Sequence, residues 1–136
     1  MSILTNITAS VVLAVSGAAV TEPPVEKTHW VIESVTDSSG TAPIPATPEA
    51  YVEMSDGLID GFTGCNWISG FAAVGDGLVT LSGIGTTKRG CSNYPEWLEM
   101  RMQWVLDDGE LSAVVEDGTL TLTRPEGSSL LLRAAP

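Results

Sequence analysis

Three Asp-Gly pairs, each set between two runs that read as β-strands, constrain this chain more than any other feature. They stand at Asp56-Gly57, Asp76-Gly77 and Asp117-Gly118. Asp and Gly tolerate the positive φ that a two-residue hairpin turn demands, so each pair predicts two antiparallel strands. Residues 50–54 and 58–62 flank the first pair, 68–74 and 78–81 the second, 111–115 and 119–123 the third. A further turn at Arg124-Pro125-Glu126-Gly127 leads from 119–123 to a strand over 129–133. The alternation in Thr119-Leu120-Thr121-Leu122-Thr123 is strict, which predicts one buried face and one wet face.

Residues 29–35 (HWVIESV) read as the first strand, with Trp30 and Ile32 on one face and Val31, Glu33 and Val35 on the other. Pro43, Pro45 and Pro48 exclude a central strand over 37–48, so that stretch reads as a loop. Residues 95–106 break the β pattern. Trp97, Met100 and Trp104, and also Leu98, Met102 and Val105, recur at helical spacing. Ser92 or Asn93 can cap this helix, Pro95 suits its first turn, and Glu96 and Glu99 favour its positive end. The wide apolar arc predicts a helix packed against a curved sheet, with Trp97 or Trp104 buried by that sheet.

The 136 residues, 43% of them hydrophobic, suit one domain with a real core. Seventeen acidic residues against six basic ones give a net charge of −11. That argues against a phosphate-binding surface and so against nucleic acid as a partner. Residues 7–20 are apolar and uncharged, yet too short for a membrane span of roughly 20 residues. Their length and the small residues Ser16, Gly17, Ala18 and Ala19 suit a secretory signal, although residues 1–6 carry no Lys or Arg. The competing reading is a strand or helix packed on the domain. Asn6-Ile7-Thr8 also fits the glycosylation pattern. Residues 21–27, with Pro23-Pro24, read as an extended linker. The chain therefore divides into a signal-like segment with its linker, 1–27, and a domain over 28–136.

Few groups are available for chemistry. Cys65 and Cys91 are the two cysteines and His29 the one histidine, so a Cys2His2 zinc site is impossible. There is no C-x-x-C and no G-x-S-x-G. The cysteines form either a disulfide, the natural state in an oxidising compartment, or two buried free thiols. Gly61, Gly64 and Gly70 read as positions of close backbone approach or positive φ. Asn66 reads as bonding its own turn or a neighbouring strand, with a ligand contact as the alternative. Lys88-Arg89 reads as solvated surface. No catalytic, cofactor-binding or metal-ligating set emerges. Asp56/Asp60 and Glu96/Glu99 are the carboxylate pairs a hydrolase would have to use.

Gly64-Cys65-Asn66, Gly70, Thr87-Lys88-Arg89-Gly90-Cys91 and the following helix together resemble the META/HslJ-like domain family. Trp30 near the domain start and Glu96 or Glu99 stand at further family places. The resemblance implies an α+β, mostly β domain: a strongly curved, barrel-like antiparallel sheet packed around one main helix. In this reading Trp30, Gly64, Asn66, Gly70 and Thr87 are structural motif residues, and no family catalytic residue carries over. It further implies a secreted, periplasmic or envelope-associated accessory of stress responses, or a protein-binding module, with an envelope or extracellular protein as partner. The chain is expected to be a monomer without a cofactor. Two alternatives stand beside this. One is a small-ligand or hydrolytic protein with an acidic pocket lined by Trp67, Trp97 or Trp104. The other is a secreted enzyme inhibitor presenting residues 37–48.

Overall fold

The computed structural model describes residues 21–136. The signal-like stretch 7–20 and the Asn6-Ile7-Thr8 pattern lie outside them. Among the described residues nine strands and one helix follow in the order β1 (Trp30–Asp37), β2 (Gly40–Pro43), β3 (Tyr51–Ser55), β4 (Leu58–Phe62), β5 (Trp67–Gly75), β6 (Leu78–Thr86), α1 (Glu96–Val105), β7 (Gly109–Glu116), β8 (Thr119–Thr123) and β9 (Ser129–Ala134). Strands β3 to β9 form an antiparallel meander, and β1 closes it by pairing with β3 on one side and β9 on the other. The result is an eight-stranded antiparallel barrel with β2 as an extra strand, as the resemblance implies. A barrel of this size has an interior just wide enough for side chains to fill.

The Asp-Gly turns set the register. Asp56, Asp76 and Asp117 take φ of 53°, 54° and 52°, and the glycine after each is also at positive φ. Two consecutive positive φ values are what a type I′ turn requires. From these turns the alternation runs inward through Val52 and Met54, Val79 and Leu81, Leu120 and Leu122, and Leu130 and Leu132, all at most 2% exposed. Trp30 is wholly buried among them. Its indole N–H donates to the Val25 carbonyl at 2.9 Å, which ties residues before β1 to the barrel. The Lys27 amide bonds the Met54 carbonyl, and the Glu22 carboxylate accepts from the Asp117 and Gly118 amides at the β7–β8 turn.

Four local expectations need correction. Val35 faces the core, not the opposite side from Trp30, because the β1–β9 register shifts between Ile32 and Ser34. A bulge of this kind flips every residue beyond it to the other face. Residues 37–48 are not all loop: β2 pairs with the second half of β1 as a short edge strand ending at Pro43. An edge tolerates proline where a central strand does not.

The third correction concerns α1. Leu98, Met102 and Val105 are its buried apolar residues, whereas Trp97, Met100 and Trp104 are 57%, 59% and 58% exposed. Neither tryptophan is covered by the sheet. The fourth is the cap. Pro95 occupies it without a side-chain hydrogen bond, and its carbonyl accepts from the Leu98 and Glu99 amides. At the other end Arg124 donates to the Val105 carbonyl, one of the acceptors that the helix leaves open, and to the Asp107 and Asp108 carbonyls just beyond it at 3.1 and 3.2 Å. The Asp108 carboxylate accepts from the Gly83 and Ile84 amides at 3.2 and 2.9 Å.

Candidate functional site

The motif residues converge where β4 leads into β5. Gly64 takes φ of +102°, and a Cβ there would collide with the Tyr94 ring. Only glycine meets both demands without strain. The turn places Thr63, Cys65 and Asn66 side by side, all buried. Cys65 is joined to Cys91 by a disulfide with a Cα–Cα distance of 5.9 Å across 26 positions. Of the two open states of the cysteines, the bonded one is present.

Asn66 holds this region together. Its Oδ1 accepts from the Arg89 amide at 2.7 Å and from the Thr87 hydroxyl at 2.9 Å. Its Nδ2 donates to the Arg89 carbonyl at 3.1 Å and to both Glu99 carboxylate oxygens at 2.8 and 3.0 Å. Thr63 donates its hydroxyl to Glu99 and takes bonds from the Cys65 and Asn66 amides. Thr87 is engaged twice more, with its hydroxyl accepting from the Trp67 amide and its amide bonding the Trp67 carbonyl. The Arg89 guanidinium donates to the Cys65 carbonyl at 3.0 Å, so Arg89 is a structural contact and not simply solvated surface. Of the two acids Glu96 and Glu99, Glu96 is exposed and Glu99 is the buried one that joins the network. Its burial was not visible from sequence. A Glu one turn into an amphipathic helix near a G-C-N turn is the signal that could have found it.

Gly70 and Gly61 permit close approach. A Cβ at Gly70 would lie 2.7 Å from Ile84 Cδ1, and one at Gly61 would lie 2.8 Å from the Tyr51 carbonyl oxygen.

Shallow clefts surround the network. One of about 420 Å³ lies beside the disulfide, lined by Pro48, Gly64, Gly90, Asn93 and Tyr94. Burial, with the Glu99 charge adding to it, pushes the Tyr94 phenol up to about 12. A second cleft, of about 240 Å³, brings Lys88, Arg89, Glu96 and Glu99 together. A third, of about 390 Å³, sets Trp104 beside Asp37 and Glu126. Both of those carboxyls are held below their ordinary range, Asp37 chiefly by hydrogen bonds from Arg101 and Glu126 chiefly by those from Ser128. Trp67 and Trp97 stand on open faces, both more than half exposed. The Asp56/Asp60 pair is divided between the β3–β4 turn and the middle of β4, where Asp60 lies opposite Glu53 and Ser69.

His29 lies at the barrel wall with both ring nitrogens engaged, Nδ1 to Glu53 at 2.6 Å and Nε2 to Glu49 at 2.7 Å. Burial lowers its pKa, but the bonds to Glu49 and Glu53 outweigh burial and leave it above 6.5. Among the described residues no group of three or more His, Cys, Asp or Glu side chains is placed to hold a metal ion. No helix among them is long and apolar enough to cross a membrane.

The fold has solved counterparts. One, described as the NMR structure of a protein from Burkholderia xenovorans, superposes with a TM-score of 0.66 at 20% identity. The match covers 86% of this chain and 93% of that one. A second NMR structure gives 0.62 at 21% identity, covering 85% and 95%. At such identities the likeness is one of fold. No curated protein matches the sequence. The profile of the META domain matches residues 23–136, over the same barrel, G-C-N turn and helix described above, and the chain belongs to the META domain family.

Proposed function

We propose that this chain is a non-enzymatic, secreted or envelope-associated module that acts by binding another protein. One observation carries the reading: large apolar side chains are displayed on two faces instead of being packed away. Trp97, Met100 and Trp104 line the outside of α1, and Leu58, Trp67 and Phe71 line the outside of β4 and β5. Exposed apolar surface gathered in this way marks interaction sites. The Cys65–Cys91 disulfide suits an oxidising compartment and supports the placement outside the cytoplasm. An envelope or extracellular protein is the fitting partner, and a stress-related accessory role falls within the same reading.

A hydrolase is the competing reading, and the cleft shared by Trp104, Asp37 and Glu126 is what favours it. A two-carboxylate mechanism needs one acid kept protonated near neutral pH. Here both carboxyls are shifted down by their partners, not up, which counts against that role for either of them. The test has two arms. The first is a screen of glycoside, ester, phosphate and peptide substrates, for which no turnover is expected. Turnover that Asp56→Asn/Asp60→Asn or Asp37→Asn/Glu126→Gln abolishes would overturn the reading. The second places a photo-crosslinking side chain at Trp104 or Phe71. Capture of a defined envelope or secreted protein, competed by unmodified chain, is expected.

A further inference from the structure

On the outer face of β3, β4 and β5 the register stacks three cross-strand rows. Tyr51, Phe62 and Trp67 are partners in the first, Glu53, Asp60 and Ser69 in the second, and Ser55, Leu58 and Phe71 in the third. Successive rows are about 7 Å apart, two residues of strand rise. A sheet face turned to solvent ordinarily carries polar side chains. This one instead sets a polar row between an aromatic row and an apolar one. The Phe62 and Trp67 ring centroids are 4.5 Å apart, and Trp67, Leu58 and Phe71 are each more than half exposed.

The polar row is almost wholly made of acceptors. Glu53 and Asp60 offer carboxylate oxygens, and Ser69 supplies a hydroxyl. A sugar hydroxyl carries one donor and two acceptor sites, so a sugar needs donors as well as acceptors in return. An arginine presents five donors and no acceptor, lies flat on aromatic rings and pairs with carboxylates. The molecule already contains a small version of that recognition. The His29 ring stacks on Tyr51 with centroids 4.5 Å apart and 26° between planes, held by Glu49 and Glu53. Asp60, next along the strip, is exposed and takes part in no ion pair among the described residues.

We propose that this strip is the docking surface for a basic segment of a partner protein. An arginine lies over Phe62 and Trp67 with its guanidinium on Asp60, and an aliphatic neighbour rests on Leu58 and Phe71. A second copy of the chain fits poorly, since each copy carries −11 and Arg101, Arg124 and Arg133 are already paired within it. The inference rests on the reading of the chain as a binding module and adds the surface and the partner's chemistry.

The experiment is an NMR titration of the whole chain with acetyl-(Arg-Leu)3-amide, with acetyl-(Glu-Leu)3-amide and cellohexaose in parallel. Saturable shifts are expected at residues 51, 60, 62, 67 and 71 with the arginine peptide alone, weakening as salt rises. Asp60→Asn and Trp67→Ala should each weaken binding about threefold to tenfold. Asp60→Asn is an exposed, near-isosteric change, so it tests the idea even if Trp67→Ala fails to fold. No saturable shift on this face below about 5 mM peptide, a level already weaker than useful recognition, would overturn the inference. So would equal binding of the glutamate peptide or the sugar, or indifference to Asp60→Asn. Shifts confined to Trp97 and Trp104 would overturn it while leaving the binding-module reading intact, and turnover in the substrate screen would overturn that reading instead.

Discussion

Replacing Asn66 with alanine should cost this domain about 3–5 kcal/mol, and the sum can be worked from its partners. The Glu99 carboxylate loses its donor at 2.8–3.0 Å and keeps Thr63. A hydrogen bond to a charged group contributes about 1.5–3 kcal/mol. The Arg89 amide loses its acceptor at 2.7 Å in a part-buried bond, and leaving such a donor unpaired costs up to about 1–3 kcal/mol. The Thr87 hydroxyl lies near solvent and can find water, so it adds little. Against a domain stability on the order of 5–15 kcal/mol, that is a large fraction. Urea unfolding followed by tryptophan fluorescence should show the midpoint falling by about 2 M, for a slope of about 1–3 kcal/mol per M. Asn66→Asp is the sharper companion. It keeps the shape and the Oδ1 acceptor but points a second oxygen at Glu99. Two facing carboxylates cannot both stay ionised at low cost. This variant should therefore be at least as unstable as the alanine one at pH 7. An alanine variant within about 1 kcal/mol of wild type would refute the reasoning, since the network would then be dispensable.

Three further outcomes follow from the same geometry. Protein purified from an oxidising compartment should show no titratable thiol in denaturant, and Cys65→Ser/Cys91→Ser should lose about 3–4 kcal/mol for a loop of this length; two thiols would contradict it. Met102→Ala should cost about 2–5 kcal/mol in the same unfolding assay, while Met100→Ala should stay within about 0.5 kcal/mol; the reverse order would mean α1 is turned the other way. His29, the one histidine, should titrate above 6.5 by NMR. Because its folded pKa is raised, its contribution to stability is fully present below 6.5 and is lost as pH rises through the folded value. His29→Gln should flatten that part of the pH profile, and a wild-type titration at or below 6.5 would exclude the Glu49–Glu53 clamp.

How far the sequence reached depended on whether each cause was local. The hairpins were legible because a type I′ turn is decided by two adjacent residues, and Asp56-Gly57, Asp76-Gly77 and Asp117-Gly118 carry that chemistry themselves. The place of β2 was not, because prolines report where a strand cannot be central and stay silent on an edge. Val35 was misplaced because a bulge depends on the partner strand, and β9 is about a hundred residues away in the chain. The motif site was half legible. Gly64 and Asn66 could be read as backbone and turn positions, but the role of Asn66 is set by Glu99, 33 positions on.

That pairing also explains the error over α1. Periodicity gives the angle between side chains but not which direction faces the core. With Trp97, Met100 and Trp104 on one stripe and Glu99 on the other, hydropathy alone favours burying the tryptophans. The fold makes the opposite choice because Asn66 and Thr63 satisfy Glu99 inside, so the stripe with the charge becomes the inner one. The outer stripe then holds more apolar surface than packing on a single barrel requires. The width of the arc, read from sequence as packing against a curved sheet, instead comes from two stripes, with Leu98, Met102 and Val105 inside and Trp97, Met100 and Trp104 outside.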